Sequence, residues 1–122
     1  MSNSIAKPKL SIITPVYNRG DLIGETIRSL QEQHFEDFEV IIVDDGSTDG
    51  TKAVCETFAS EDPRISYLAG DTKNRGPGYC RNKAVQVAQG EFLIFLDSDD
   101  LFLPGALANR VNAIESNDEL DF

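Results

Sequence analysis

The sequence has no long hydrophobic run, few basic residues and few cysteines, and each shortage excludes a class of protein. No apolar run approaches the roughly 18 residues of a membrane-spanning helix. The polar start MSNSIAKPK has no apolar stretch of the secretory-signal kind. With 11 Lys and Arg against 21 Asp and Glu, the formal net charge is −10, which argues against a nucleic-acid backbone or an anionic lipid as the main partner. We therefore expect a cytoplasmic protein.

The two cysteines, Cys55 and Cys80, fall in segments with helical periodicity and lack the spacing of a CxxC motif. Such thiols usually behave as small apolar side chains in a reducing compartment. We predict two buried, inert thiols, and a disulfide or a reactive thiol is the alternative.

The main pattern in the chain is a repeated switch between short β-like apolar runs and helical periodicity. With 122 residues, 40% of them hydrophobic, we expect a flexible segment over 1–8 and one domain over 9–122. A strand followed by a helix, four times over, predicts a doubly wound, mostly parallel α/β sheet with helices on both faces. The predicted strands are 9–16, 38–45, 64–69 and 91–97, and the predicted helices begin at Asp21 as a cap, after GSTDG, at Tyr79 and near Pro104.

Polar residues concentrate directly after each predicted strand. The four clusters are TPVYN, DDGSTD, the loop GDTKNRGPG and DSDD. Ligands of open parallel sheets bind beyond the carboxyl ends of the strands. We therefore expect the four clusters to meet at one edge of the sheet and to form a ligand site there.

The cluster DSDD places Asp97, Asp99 and Asp100 at the end of an apolar strand, where unpaired carboxylates would repel one another. Carboxylates suit Mg²⁺ or Mn²⁺, whose remaining ligands would be waters and a substrate phosphate. The sequence therefore indicates a metal site at Asp97 and Asp99. The alternative is an acidic turn in which one carboxylate caps the next helix.

The first two clusters offer contacts for a nucleoside. Asp44 or Asp45 can accept a hydrogen bond from a ribose hydroxyl or a base N–H, or from backbone donors in the Gly46 turn. Asp49 is interpreted as a helix cap rather than a ligand. Tyr17 can stack on a nucleobase or simply pack against the protein.

Basic residues concentrate in KNRGPGYCRNK, which contains Lys73, Arg75, Arg81 and Lys83. In an acidic chain this cluster indicates a specific small anion, and the planar fork of Arg81 suits phosphate. A solvated helix face is the alternative. Gly76 and Gly78 free the backbone near a helix start, where N–H groups can face a phosphate. Neither GxxxxGK[ST] nor GxGxxG occurs, so an ATPase or NAD site is poorly supported.

Taken together, SIITPVYN, VIIVDDGSTDGT, NRGPGYCRNKAV and GEFLIFLDSDD resemble the nucleotide-sugar-binding half of family-2 glycosyltransferases of the GT-A fold. The likeness covers residues 9 to about 115. It implies transfer of a sugar from a nucleoside-diphosphate sugar, most often a UDP-sugar, to a hydroxyl of a glycan or lipid-linked acceptor, with inversion. It also implies Mn²⁺ or Mg²⁺ as cofactor, a role in cell-envelope polysaccharide synthesis, and a parent enzyme at the inner face of the membrane.

The resemblance assigns roles to residues of the four clusters. Pro15 and Tyr17 would border the nucleobase, and Asp45 would hydrogen-bond the base or the ribose. Arg81, in the RN pair of the family, would lie near the base and the diphosphate. Asp97 would touch the ribose or reach the metal through water.

The resemblance further implies that Asp99 binds the metal, whereas Asp100 has no settled role. Members of the family carry further strands, an acceptor-binding region and a catalytic base after the acidic cluster. This sequence ends at NDELDF, so no catalytic base is nominated and we expect it beyond Phe122. We expect a donor-binding piece that is incomplete at its C-terminus and inactive alone, and that self-associates through the apolar surface its missing part would cover.

Two other functions stay open from the sequence. One is a non-catalytic nucleotide-binding or assembly module. The other is a receiver-like phosphoacceptor domain, which also has a doubly wound fold of this length. In that class an acidic pair follows the first strand, whereas here the first strand ends in TPVYN.

Overall fold

The computed structural model describes residues 7–33, 35–70, 75–97 and 105–116. Strands and helices alternate through these ranges, which confirms the predicted order. Every helix within these ranges falls short of the length and apolar character that a membrane span requires. The elements are β1 (Leu10–Val16), α1 (Ile23–Gln31), β2 (Phe38–Asp44), α2 (Thr51–Glu61), β3 (Ile65–Ala69), α3 (Pro77–Val85), β4 (Phe92–Phe95) and α4 (Ala106–Ser116).

The strands form one parallel sheet in the order β3-β2-β1-β4. The chain winds outward from β1 to β3 and then returns to place β4 on the other side of β1. The direction of winding therefore reverses between β1 and β4, and open α/β sheets bind ligands at such a switch point. A receiver-like fold would place β1 beside β2 and β3, so this topology does not support the receiver-like alternative.

Helices cover both faces of the sheet, which confirms the predicted doubly wound α/β class. Ile23 of α1, Cys55 of α2 and Leu107 of α4 belong to the larger core, on one face. Cys80 and Ala84 of α3 form a smaller core on the opposite face. Successive strand side chains point to opposite faces, so β1, β2 and β3 contribute to both cores, whereas the core residues of β4 belong to the larger one.

Helix α3 begins at Pro77 rather than at the predicted Tyr79, and it ends before the predicted stop at Gly90. Gly76 precedes the helix with φ +95°, a conformation that favours glycine, and proline is well suited to a first helical turn. The N–H of Gly90 donates to Ser11 Oγ over 2.8 Å. A Cβ at Gly90 would lie 2.5 Å from the Ser11 nitrogen, so this close approach requires glycine.

Helix α1 begins without the predicted Asp21 cap. Its cap position is Leu22, which makes no side-chain capping bond. The N–H groups of Leu22 and Ile23 both donate to the Arg19 carbonyl, over 2.9 and 2.8 Å. The Asp21 prediction is wrong because backbone bonds within the turn start this helix.

Both cysteines are buried free thiols, as predicted. Burial, followed by the negative charge of Asp44, raises the pKa of Cys55 to about 12. Burial, followed by the charge of Asp45, raises the pKa of Cys80 to about 11. Both thiols therefore stay protonated at neutral pH and are poor nucleophiles.

Candidate functional site

The loop after β1 is bonded to the loop after β2 at the carboxyl end of the sheet. The N–H of Asp45 donates to the Val16 carbonyl over 2.8 Å. Two residues further along the first loop, the N–H of Asn18 donates to Ser47 Oγ over 2.8 Å. These two bonds lie on either side of Tyr17 in the chain. They therefore hold the backbone of Tyr17 beside Asp45, as expected for loops that follow neighbouring parallel strands.

Asp45 connects β2 to the start of α3. Its side chain is 4% exposed, and its two carboxylate oxygens accept the N–H groups of Arg75 (2.9 Å) and Gly76 (2.8 Å). An ionised carboxylate offers about four lone-pair sites, so acceptor capacity remains for a ligand N–H or O–H. Asp45 thus positions the start of α3, and its role towards a nucleoside stays a prediction.

From the sequence, either Asp44 or Asp45 could accept the backbone donors of the Gly46 turn. In the structure, Asp44 does so. Its Oδ1 accepts the N–H of Ser47 over 2.8 Å, and its Oδ2 accepts the Tyr67 hydroxyl proton over 2.6 Å. Burial, together with the Asp44 carboxylate, raises the pKa of Tyr67. A cavity of about 270 Å³, lined in part by Thr48 and Lys52, lies beside this pair. Both Asp44 oxygens are therefore engaged inside the protein.

Asp49 bonds to the start of α2, but its interpretation as the helix cap is wrong by one position. Its Oδ1 accepts the N–H of Thr51 over 2.9 Å and also the Thr51 hydroxyl proton. The Thr51 hydroxyl is the main cause that lowers the pKa of Asp49. The cap position itself is Gly50, which has no side chain to bond.

Pro15 and Tyr17, the predicted borders of the nucleobase, differ in exposure. Pro15 lies within β1, paired with Val43 of β2, and is half-buried. Tyr17 is 40% exposed, so part of its surface is free to contact a ligand.

Arg81 lies at the β4 side of the switch point. Its guanidinium is 5.4 Å from the centre of the Phe95 ring at the end of β4, and Asp97 follows two residues later. Both Arg81 and Asp97 are exposed. Two of the predicted site residues, the cation Arg81 and the carboxylate Asp97, therefore lie at the same end of β4. Lys73, from the basic cluster, lies outside the described residues.

The predicted metal ligands are described only in part, because Asp99 and Asp100 lie outside the described residues. Within the described part of the chain, no group of three or more His, Cys, Asp or Glu side chains could hold a metal ion. Asp97 is an exposed carboxylate at a strand end. Such a ligand fits Mg²⁺ or Mn²⁺, which keep several waters and take oxygens from substrate phosphates. The assignment of Asp97 and Asp99 to a metal stays a prediction.

Two residues of this region, Asn18 and Tyr67, were not singled out from the sequence, and Arg75 was named only for its charge and not for its backbone N–H. Asn18 joins the first two loops, Tyr67 bonds Asp44, and the Arg75 N–H bonds Asp45. For Asn18 a signal was present, because asparagine after a strand often adopts a left-handed turn. No local signal reveals the other two bonds, since their partners lie 23 and 30 residues away.

An open parallel sheet with polar loops at its switch point is the architecture of a ligand-binding α/β protein. The family model described as glycosyl transferase family 2 matches residues 11–121. The chain therefore belongs to glycosyl transferase family 2, and its fold is of the GT-A class, as the resemblance implied.

Two curated relatives show the extent of the likeness. The GalNAc(5)-diNAcBac-PP-undecaprenol beta-1,3-glucosyltransferase of Campylobacter jejuni is 44% identical over 101 residues, which are 83% of this chain and 33% of that protein. The putative teichuronic acid biosynthesis glycosyltransferase TuaG of Bacillus subtilis is 45% identical over 94 residues, which are 77% of this chain and 37% of that protein. The chain thus spans about a third of the length of these relatives.

Two solved structures of related proteins have a similar fold over most of this chain. The mannosyltransferase PcManGT from Pyrobaculum calidifontis, in complex with GDP-Man and Mn²⁺, superposes with a TM-score of 0.81 at 31% identity over 90% of this chain and 33% of its own. S. aureus TarS 1-349 in complex with UDP-GlcNAc superposes with a TM-score of 0.82 at 37% identity over 90% of this chain and 32% of its own.

Proposed function

We propose that this chain binds the nucleoside-diphosphate sugar, a UDP-sugar, for a metal-dependent glycosyltransferase that transfers the sugar to an acceptor hydroxyl with inversion. The observation that carries the proposal is the adjacency of Tyr17 and Asp45 at the carboxyl ends of β1 and β2, beside the switch point, in a chain that belongs to glycosyl transferase family 2. Support comes from related structures that hold UDP-GlcNAc and GDP-Man.

The nucleoside would lie at the β1 and β2 ends. The exposed ring of Tyr17 can stack on the base, with Pro15 as a neighbouring wall. Asp45 is held in place by two backbone N–H groups, and its remaining lone pairs can accept a base N–H or a ribose hydroxyl. A buried carboxylate that is already oriented loses little side-chain entropy on binding.

The diphosphate would lie towards the β4 end. The guanidinium of Arg81 can donate to diphosphate oxygens, and its position over Phe95 limits its freedom. Asp97 and Asp99 would hold Mn²⁺ or Mg²⁺, which neutralises the charge that grows on the leaving diphosphate. Because the chain spans about a third of its relatives, the catalytic base and the acceptor contacts are not assigned to it.

We further propose a glycan or lipid-linked acceptor in cell-envelope synthesis. Support comes from the names of three relatives, which refer to a PP-undecaprenol substrate, teichuronic acid and poly(ribitol-phosphate). A cytoplasmic chain acting at the inner face of the membrane would suit the undecaprenol-linked acceptor.

We also propose that the chain self-associates through β4. Within the described residues, this strand pairs only with β1, and an unpaired strand edge is a template for another strand. On β4, Leu93 is 38% exposed and Phe95 is 48% exposed. A second copy of the chain would cover this apolar surface.

The test of donor binding is calorimetry and thermal denaturation with UDP and Mn²⁺. We expect Mn²⁺-dependent binding that raises Tm, and we expect Asp99→Ala to abolish the dependence on Mn²⁺. Asp37→Ala is the matched control, because Asp37 is an exposed carboxylate before the start of β2, at the opposite end of the sheet. The proposal fails if no nucleoside diphosphate binds to the wild-type chain with either metal.

A further inference from the structure

Asn18 has an unusual backbone conformation for a residue with a side chain. Its φ is +52°, and it is the single non-glycine residue with positive φ in the described parts of the chain. Asparagine tolerates this left-handed region better than most residues, because its short polar side chain can bond locally. Here the conformation turns the side chain of Asn18 towards the loop after β2.

The Asn18 side chain joins the two loops by accepting two backbone donors. Its Oδ1 accepts the N–H of Thr48 over 2.8 Å and the N–H of Asp49 over 3.3 Å. Its own backbone N–H donates to Ser47 Oγ over 2.8 Å. One residue further, the N–H of Arg19 donates to Thr51 Oγ1 over 2.9 Å. The chain that follows Tyr17 is therefore bonded to the start of α2 at consecutive residues.

We propose that Asn18 is a positioning residue that holds Tyr17 against Asp45, and this inference rests on the proposed function. On one side of Tyr17, the Val16 carbonyl accepts the N–H of Asp45 over 2.8 Å. On the other side, the contacts of the Asn18 turn hold the backbone in place. Asn18 thus acts on the nucleobase through Tyr17.

A purely structural role for Asn18 would have a different consequence. A loss of stability would lower the affinity for every ligand of the folded state by the same factor. Misplacement of Tyr17 lowers the affinity only for ligands that carry a base. The preference for UDP over pyrophosphate therefore separates the two roles, because pyrophosphate has no base to stack on Tyr17.

The experiment measures dissociation constants of UDP and of pyrophosphate, each with Mn²⁺, well below the Tm of every variant. Asn18→Gly keeps the positive φ and removes the side-chain acceptor, whereas Asn18→Asp keeps an acceptor oxygen. Ile65→Val is the control, because it removes a methylene group from the core at the start of β3, at the far end of the sheet.

We expect Asn18→Gly to lower the preference for UDP over pyrophosphate roughly tenfold, as for the loss of one or two hydrogen bonds. Asn18→Asp should recover most of this preference, and Ile65→Val should leave it unchanged. An Asn18→Gly variant with the wild-type preference, or with equal losses for both probes, overturns the inference while the proposed function stands. If the wild-type chain binds neither probe, the proposed function itself fails and this inference fails with it.

Discussion

The two adjacent carboxylates after β2 should respond differently to the same substitution. In Asp45, each oxygen accepts a backbone N–H, from Arg75 and from Gly76. In Asp44, one oxygen accepts a backbone N–H and the other accepts a hydroxyl proton from Tyr67. Replacement of either residue by asparagine exchanges one acceptor oxygen for an NH₂ group, which can only donate.

The difference follows from the donors that remain. In Asp45→Asn, one backbone N–H faces the new NH₂ group and is left without an acceptor, which costs about 1–3 kcal/mol when it is buried. The lost charge adds to this, so we expect a loss of about 2–3 kcal/mol. In Asp44→Asn, the Tyr67 hydroxyl can rotate and accept from the amide. We therefore expect a loss of about 1 kcal/mol or less for this variant.

Urea denaturation at pH 7, followed by circular dichroism, measures both losses. For a domain of this size, a loss of 2 kcal/mol corresponds to a fall in Tm of roughly 6–10 °C. Hydrogen exchange adds local evidence, since the Arg75 and Gly76 amides should exchange faster in Asp45→Asn and not in Asp44→Asn. Equal stability losses in the two variants, with unchanged exchange at both amides, would show that the two carboxylates do not differ in this way.

Three further predictions concern charge, thiols and assembly. The Arg64 side chain holds the pKa of Asp62 at about 2, so Asp62→Asn should lower the free energy of unfolding at pH 7 by an amount of order 1 kcal/mol. This difference between wild type and variant should disappear as the pH falls from about 4 towards 2. A difference in stability that persists at pH 2 in urea titrations would contradict this. Because the pKa values of Cys55 and Cys80 are raised to about 12 and 11, neither thiol should react with a thiol reagent at pH 8 until the chain unfolds. The free energy of unfolding should fall above about pH 9, because the thiols ionise there in the unfolded chain and not in the folded one. Rapid reaction of the folded chain would show that the thiols are accessible. Phe95→Thr should shift sedimentation towards the monomer relative to the wild type, and a wild type that is already monomeric would remove the case for self-association through β4.

Local patterns predicted the elements better than they predicted the element ends. The apolar runs that became β1 and β2 were placed to within one residue, because a strand covered on both faces needs continuous apolar sequence. Helix α3 was misplaced at both ends, since its start depends on the positive φ of Gly76 and its end on a turn in which the N–H groups of Val87 and Ala88 both donate to the Ala84 carbonyl. Neither requirement is visible within the helix itself.

The candidate site was likewise predicted in part: the positions of its loops could be predicted from the sequence, but the hydrogen bonds between them could not. The meeting of the first two polar loops follows from the pairing of β1 with β2, and the sequence predicted it. The bonds of Asp45 to the start of α3, of Tyr67 to Asp44 and of Asn18 to the second loop were not predicted. Each joins residues that are 23 to 31 positions apart, so it depends on which strands are neighbours.

Hydrophobic periodicity and short motifs are local properties, so the α/β class, the succession of strands and helices along the chain and the glycosyltransferase family could all be predicted from the sequence. Which of two adjacent carboxylates stabilises its own turn, and which orients a distant helix, depends on the folded arrangement of the strands. A buried carboxylate must accept hydrogen bonds from the donors that lie next to it, and the order of the strands in the sheet determines which donors those are.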